Sequence, residues 1–433
     1  MNTLFKSLAL VCALASPAAA IDIQSVTSPM GRTAWLVEDH TIPFVSIDVI
    51  FAGGAALDPV DHPGAVSLMT ALLTEGAGDL DAQGYAAALE SLAAGISFET
   101  GRDQVTMSIK ALTENRDQVI DLALLALTDA HFSAQSLERV RAQQVASLER
   151  EARDPNTIAQ QVYAQLGYAG HAYSRPTDGT PDSVAALTVD TILDAHRAAF
   201  TSDLVYIGAA GDITADELGA LVDHILDNLP ASNTPLPEYR SYDAPAGVTV
   251  IDHPGTQSVI QFGHAGIPWD DPDFMPAFLM NEIFGGGRFG TRLMDEIREQ
   301  RGLTYGIYTA LASYRWGDSY VGRFSTANES AAEAIDLVRQ QFEWLANGGI
   351  TEDDLERIKT YLTGAYPLRF DGNESIAQIL ASMQFQQYGI DYVNVRNDLV
   401  RAVTLEDIQR VARRLAQPEA LQFVVVGQPV GLE

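Results

Sequence analysis

The chain has 433 residues, 47% of them hydrophobic and 19% charged, enough apolar material for more than one packed core. Asp and Glu number 57 against 27 Lys and Arg, a formal net charge of −30. A surface of that sign repels phosphate backbones and argues against nucleic acid as a partner.

The first element is an address. "MNTLFKSLALVCALASPAAA" has one Lys, an apolar run and Ala18-Ala19-Ala20, the pattern of a secretory signal cut before Ile21. Cys12, the only cysteine, lies inside it without a Leu-Ala-Gly context for lipid attachment. Cleavage leaves a chain with no disulfide, held by core packing alone in a compartment that permits disulfides. No later stretch approaches the roughly 20 apolar residues of a membrane span. The expected product is exported and periplasmic.

Next, "VSIDVIFAGGAALDP" reads as a buried strand ending in a glycine turn, and "GAVSLMTALL" (Gly64–Leu73) as the helix it feeds. "GISFETGRDQVTMSIKAL" alternates with period two and predicts an antiparallel hairpin. "LVYIGAAGDITADEL" reads as a buried strand, a turn and a helix start. The Pro-, Ala- and Ser-rich "LPASNTPLPEYRSYDAPAGV" then reads as a linker. Beyond it the order repeats: "SVIQFGHAGIPWDDP" as strand and turn, "YGIYTALASYRWGDSYVGRFSTA" as a hairpin, "LQFVVVGQP" as a closing buried strand. Thr214 with Glu217, Thr351 with Asp354 and Thr404 with Asp407 fit capping boxes at helix starts. The pattern predicts an α+β protein of two homologous halves, each an antiparallel or mixed sheet packed with helices. Its parts are a signal at 1–20, an N-terminal half at 21–230, a linker at 231–247 and a C-terminal half at 248–433.

The glycine turn and helix at Gly54–Leu73 resemble those of the pitrilysin-type (M16) zinc peptidases, whose first half carries Gly-x-x-His-x-x-Glu-His. In ungapped register the first His falls on Ser67, the Glu on Thr70 and the second His on Ala71. The family's further Glu ligand falls on Ser147 in "QQVASLEREARDP", a register set by Asp154 and Pro155. Zinc needs imidazole, thiolate or carboxylate ligands. A hydroxyl binds it poorly, a methyl not at all, and Thr70 cannot serve as general base to a metal-bound water. Glu149, close to the Ser147 register, is a lone carboxylate. The chain is therefore expected to hold no metal and no catalytic residue of its own.

The other histidines have structural readings. His62 sits in a polar turn with Asp58 and Asp61, His171 in "YAGHAYSRP", and His253 and His264 flank a strand.

"FGGGRFGTRLMDEIREQRGLTYGIY" (Phe284–Tyr308) is similar to the family's second-half segment, in which an Arg and a Tyr seven residues apart grip substrate at the other half's zinc. Those positions are Arg298 and Tyr305, both kept; a guanidinium and a phenol suit an oxygen gaining negative charge. A salt bridge of Arg298 to Asp295 or Glu296, with Tyr305 packed at a strand start, is the competing structural role; Arg292 and Arg301 lie nearby. Gly285-Gly286-Gly287 lacks the Lys-Ser/Thr of a phosphate loop. "GITEDDLERIKTYLTG" and "AVTLEDIQRVARRL" extend the resemblance almost to the end of the chain.

The resemblance implies a non-catalytic, substrate-binding subunit of an exported heterodimeric zinc metalloendopeptidase, inactive alone. Its partner is a zinc-bearing M16-like subunit, and its ligand a peptide. The alternative is a scaffold or peptide-binding homologue with no part in proteolysis.

Overall fold

The computed structural model describes residues 21–432; the signal segment with Cys12 lies outside them. Strands β1 (Gln24–Thr27), β2 (Thr33–Glu38), β3 (Phe44–Ala52), β4 (Gly95–Thr100), β5 (Gln104–Leu112) and β6 (Val205–Gly211) form one sheet, in the order β1-β2-β6-β3-β5-β4. Strands β7 (Gly247–Asp252), β8 (Gln257–His264), β9 (Ile307–Tyr314), β10 (Gly317–Ala327) and β11 (Gln422–Gly427) form a second, in the order β7-β11-β8-β10-β9.

The duplication expected from the order of elements is visible in the topology. In each sheet a strand near the start of the half pairs in parallel with the strand that closes it: β2 with β6, and β7 with β11. The other pairings among these eleven strands are antiparallel, and each sheet runs on through a second strand to a hairpin at its edge. Both predicted hairpins form, β4–β5 and β9–β10. The three capping boxes at Thr214, Thr351 and Thr404 are present, each threonine accepting from the N3 amide while the N3 carboxylate accepts from the threonine amide.

Alternation along each central strand serves two faces. Val45, Ile47, Val49 and Phe51 of β3 enter the first half's main core, while Ile50 and Ala52 point to the opposite face. Phe423 and Val425 of β11 enter the second core, and Val424 and Val426 point away from it. Each outward face is covered by a helix from the other half. Helix α3 (Pro155–Gly167) lays Ala159 and Tyr163 on Val259, Val424 and Val426 of the second sheet. Helix α4 (Asn373–Phe385) lays Leu380 and Met383 near Trp35, and Ala381 and Phe385 on Ile50 and Ala52 of the first. The segments 21–230 and 248–433 thus exchange a helix, and neither sheet is covered on both faces by its own half. The connecting segment is also tied down. Arg240–Ser241 pairs in parallel with Gly317–Asp318, and Tyr242 is buried against Tyr163 and Tyr168.

Candidate functional site

Helix α1 (Ala65–Leu72) carries the positions where zinc ligands were sought, and its place is fixed by polar groups. Asp58 is buried and accepts from the amides of Gly64 (2.7 Å) and Val66 (2.8 Å), two donors that the start of a helix leaves unpaired. Arg175 donates to the Asp58 carbonyl (2.9 Å), and Ser183 donates to the Pro63 carbonyl (2.8 Å). Gly64 is required here. Its φ is +90°, and a Cβ would lie 2.7 Å from the Asp178 carbonyl oxygen. The loop carrying Asp178 is therefore pressed against the helix entry.

That loop meets the emptied positions. Ser67 donates to the Asp178 carboxylate (2.6 Å), and the Asp178 carbonyl accepts from Gln144 (3.0 Å) on helix α2 (Ala134–Glu151). Ser147, one turn along α2, donates to Glu151 (2.9 Å). Thr70 is buried; its hydroxyl donates to the Val66 carbonyl (2.8 Å) and accepts from Thr100 (2.8 Å) at the end of β4. Ala71 is exposed and Glu149 faces solvent. Helices α1 and α2 pack together, and the hydroxyls of Ser67, Thr70 and Ser147 are engaged by the Asp178 loop, by Val66 and Thr100, and by Glu151. Among the described residues no group of three or more His, Cys, Asp or Glu is placed to hold a metal ion. Asp58 anchors a helix, so it does not form a cation site with Asp61 and His62.

Burial pushes the Asp58 carboxyl up to about 7, against the two amides and Arg175 that favour its charge. A carboxyl raised above its unfolded value stabilises the fold most when protonated. That contribution is complete below about pH 4 and is lost as pH rises through about 7. The stability advantage of the wild type over Asp58→Asn, followed by urea unfolding, is therefore expected to shrink from pH 5 to pH 8. Asp58→Ala leaves two buried amides without acceptors and is expected to cost about 2 kcal/mol at pH 5, a cost that shrinks toward pH 8 as it does for Asp58→Asn.

The second-half pair sits differently. A π-helical turn at Met294–Glu299 carries Arg298. Its guanidinium pairs with Glu299 (2.8 Å) and lies 4.9 Å from the Phe289 ring centroid. The competing salt bridge with Asp295 or Glu296 does not form, since Arg292 takes Glu296 (3.0 Å) while lying over Trp344. Tyr305 precedes β9 and is 89% exposed, so it is not packed at the strand start; its hydroxyl has no protein partner among the described residues. No hydrogen bond joins Arg298 to Tyr305. The pair thus comprises a partly exposed guanidinium engaged with Glu299 and Phe289 and an exposed phenol, while the α1 positions hold nothing that could activate water.

The remaining histidines are structural. His171 is buried, accepts from the Tyr173 amide (3.2 Å) and meets the Glu238 carbonyl (2.9 Å). Desolvation lowers its affinity for a proton. His264 is buried against Tyr320 and Phe342, and His253 meets the Arg153 carbonyl (3.0 Å). Sequence reasoning missed Asp178, whose "PTDGT" context signals only a turn.

Residues 33–180 match the family model described as insulinase (peptidase family M16), and residues 186–362 match the peptidase M16 inactive domain. A Helicobacter pylori protein described as non-peptidase homolog YmxG is 24% identical over 394 residues, covering 90% of each chain. The uncharacterized zinc protease SCO5738 of Streptomyces coelicolor is 23% identical over 368 residues, covering 81% of this chain and 78% of its own. The crystal structure of a peptidase M16 inactive domain from Pseudomonas fluorescens superposes with a TM-score of 0.88 at 26% identity, covering 95% of this chain and 99% of that one.

Proposed function

Because the chain belongs to the M16 peptidase family, we propose that it is the metal-free, substrate-binding subunit of an exported, periplasmic heterodimeric zinc peptidase. It lends Arg298 and Tyr305 to the zinc site of an M16-like partner. The observation that carries this reading is the contrast between the two halves. At α1, Ser67, Thr70 and Ala71 offer no ligand or base, and the two hydroxyls are engaged in internal hydrogen bonds. At the second site Tyr305 stands 89% exposed, and among the described residues its hydroxyl has no hydrogen-bond partner.

The chemistry divides accordingly. The partner supplies the metal, the water and the general base. This chain supplies donors for the scissile carbonyl, whose oxygen becomes negative as water adds. A phenol donates one hydrogen bond and a guanidinium adds positive charge, and neither needs to change protonation at neutral pH. Mixing this chain with a secreted family member that has an intact His-x-x-Glu-His helix, and following peptide hydrolysis, tests the reading. Activity confined to the mixture supports it; a mixture no faster than the zinc-bearing chain alone rejects it.

Export is part of the same proposal. The mature protein is expected to begin at or near Ile21, and intact-mass measurement of the secreted product checks this. A product retaining Met1 or lipidated at Cys12 contradicts it.

A further inference from the structure

Beside Tyr305 runs a trough of about 560 Å³ between helix α3 and the outward face of strands β8, β10 and β9. Its floor along β9 alternates Tyr308, Ala310, Ala312 and Tyr314 on one side of the strand, two rings separated by small residues. Asn156 and Gln160 of α3 line the opposite wall. Tyr308, Asn156 and Arg323 also border the hollow that holds Tyr305, so the trough opens toward the proposed catalytic contact.

Its charge is unlike that of the rest of the molecule. The chain carries 57 acidic residues, yet no Asp or Glu lines the trough, and two arginines do, Arg102 and Arg323. Among the described residues neither guanidinium has a carboxylate within ion-pair distance. Nearby carboxylates are spent elsewhere. Asp103 accepts from Tyr173 (2.6 Å) and the Arg315 amide (2.8 Å), Asp318 accepts from Ser241 and the Gly266 amide (2.7 Å each), and Asp154 caps α3. Arg102 comes from the β4–β5 turn of the first half. Its guanidinium lies 4.9 Å from the Tyr173 ring centroid and 5.2 Å from that of Tyr314, two rings that meet edge to face, and donates through Nη1 to the Tyr173 carbonyl (3.0 Å). These two ring contacts and the hydrogen bond hold the guanidinium in place, and among the described residues Nε and Nη2 have no protein partner, which leaves donors for a carboxylate. Arg323 is exposed on β10, opposite Tyr308 in the β9–β10 register. From Tyr308 to Tyr314 the strand rises about 20 Å, the span of roughly six extended residues.

We infer that this trough binds an extended peptide bearing carboxylates, with Arg102 and Arg323 as anion contacts at its two ends. The peptide chemistry rests on the proposed function; the preference for carboxylate rests on the trough itself. The carboxylate comes from an acidic side chain or from a peptide C-terminus, and the test separates the two.

Binding to the purified mature chain, without partner, is measured by calorimetry at low salt with four alanine-based hexapeptides. One is acetylated and amidated with glutamates near both ends, and the second has glutamine in their place. The third has lysine there, and the fourth is uncharged apart from a free C-terminal carboxylate. The glutamate peptide is expected to bind at least tenfold more tightly than the glutamine one, and the lysine peptide more weakly still. Arg323→Gln, on an exposed strand position, is expected to weaken glutamate binding about tenfold and leave glutamine binding unchanged. Arg102→Gln is expected to do the same, with the melting temperature followed alongside because that side chain also packs. Tight binding of the fourth peptide, lost in the same variants, assigns the carboxylate to a chain terminus. Equal binding of glutamate, glutamine and lysine peptides, or none by the folded chain at millimolar peptide, overturns the inference. Such a failure leaves Arg298 and Tyr305 untouched, because their variants are read in turnover by the assembled pair. A Tyr305→Phe variant with undiminished turnover in the assembled pair, together with intact glutamate preference, overturns the proposed function alone.

Discussion

Tyr305→Phe in the assembled pair is expected to lower kcat/KM about a hundredfold, the loss of about 3 kcal/mol that follows removal of one donor from a developing oxyanion. The substitution deletes a single hydroxyl from a side chain that is 89% exposed and whose hydroxyl has no protein partner among the described residues, so the fold is expected to keep its stability. Arg298→Ala is expected to cost as much, with a rise in KM where the guanidinium also holds the substrate before reaction. Its contacts within the chain are one exposed ion pair with Glu299 and the face of Phe289. Exposed pairs of that kind contribute less than about 1 kcal/mol to stability. Size-exclusion elution and melting temperature, measured beside the kinetics, are expected to be unchanged. Full activity in both variants removes the shared-site reading and favours a scaffold.

Gly208→Val is expected to destabilise the protein by about 3 kcal/mol. Gly208 lies on β6 where helix α4 from the other half crosses it, and a Cβ there would lie 2.2 Å from the Ala377 carbonyl oxygen and 2.6 Å from the Ala381 amide. Both are backbone atoms and cannot rotate aside. Valine forces the helix off the sheet and loosens Leu380 and Met383 from the Trp35 cluster, and Ala381 and Phe385 from Ile50 and Ala52. Urea unfolding measures the loss, and limited proteolysis is expected to cut first near Asn373–Phe385. A wild-type midpoint with a protected helix would show that the exchanged helix does not hold the halves together.

Much of this fold is legible in the residues because its signals are local. Period-two alternation marked both hairpins, threonine caps marked three helices, and the repeated order of strand, turn and helix announced the duplication. The helix exchange was not legible. The apolar stripes of α3 and α4 say that each covers something, and nothing in them says which sheet; that choice depends on close approaches such as the one at Gly208. The site divides along the same line. The reading of Ser67 and Ala71 at zinc-ligand positions and of Thr70 at the general-base position came from register alone. Asp178 is more than a hundred residues from Ser67, and only the folded chain brings it to the helix entry. Arg102, Tyr173 and Tyr314 likewise come from three distant segments to place one guanidinium beside two rings.

The central claim, that this chain completes a site whose metal and base lie on another subunit, is tested most directly by one assay. Zinc content and hydrolysis of a peptide library are measured for the purified mature chain, for its zinc-bearing partner and for their equimolar mixture. The account predicts no stoichiometric zinc and no hydrolysis for this chain, one zinc per pair carried by the partner, and full hydrolysis in the mixture alone. About one tightly bound zinc on this chain with chelator-sensitive hydrolysis, or a mixture no more active than the partner by itself, would contradict it.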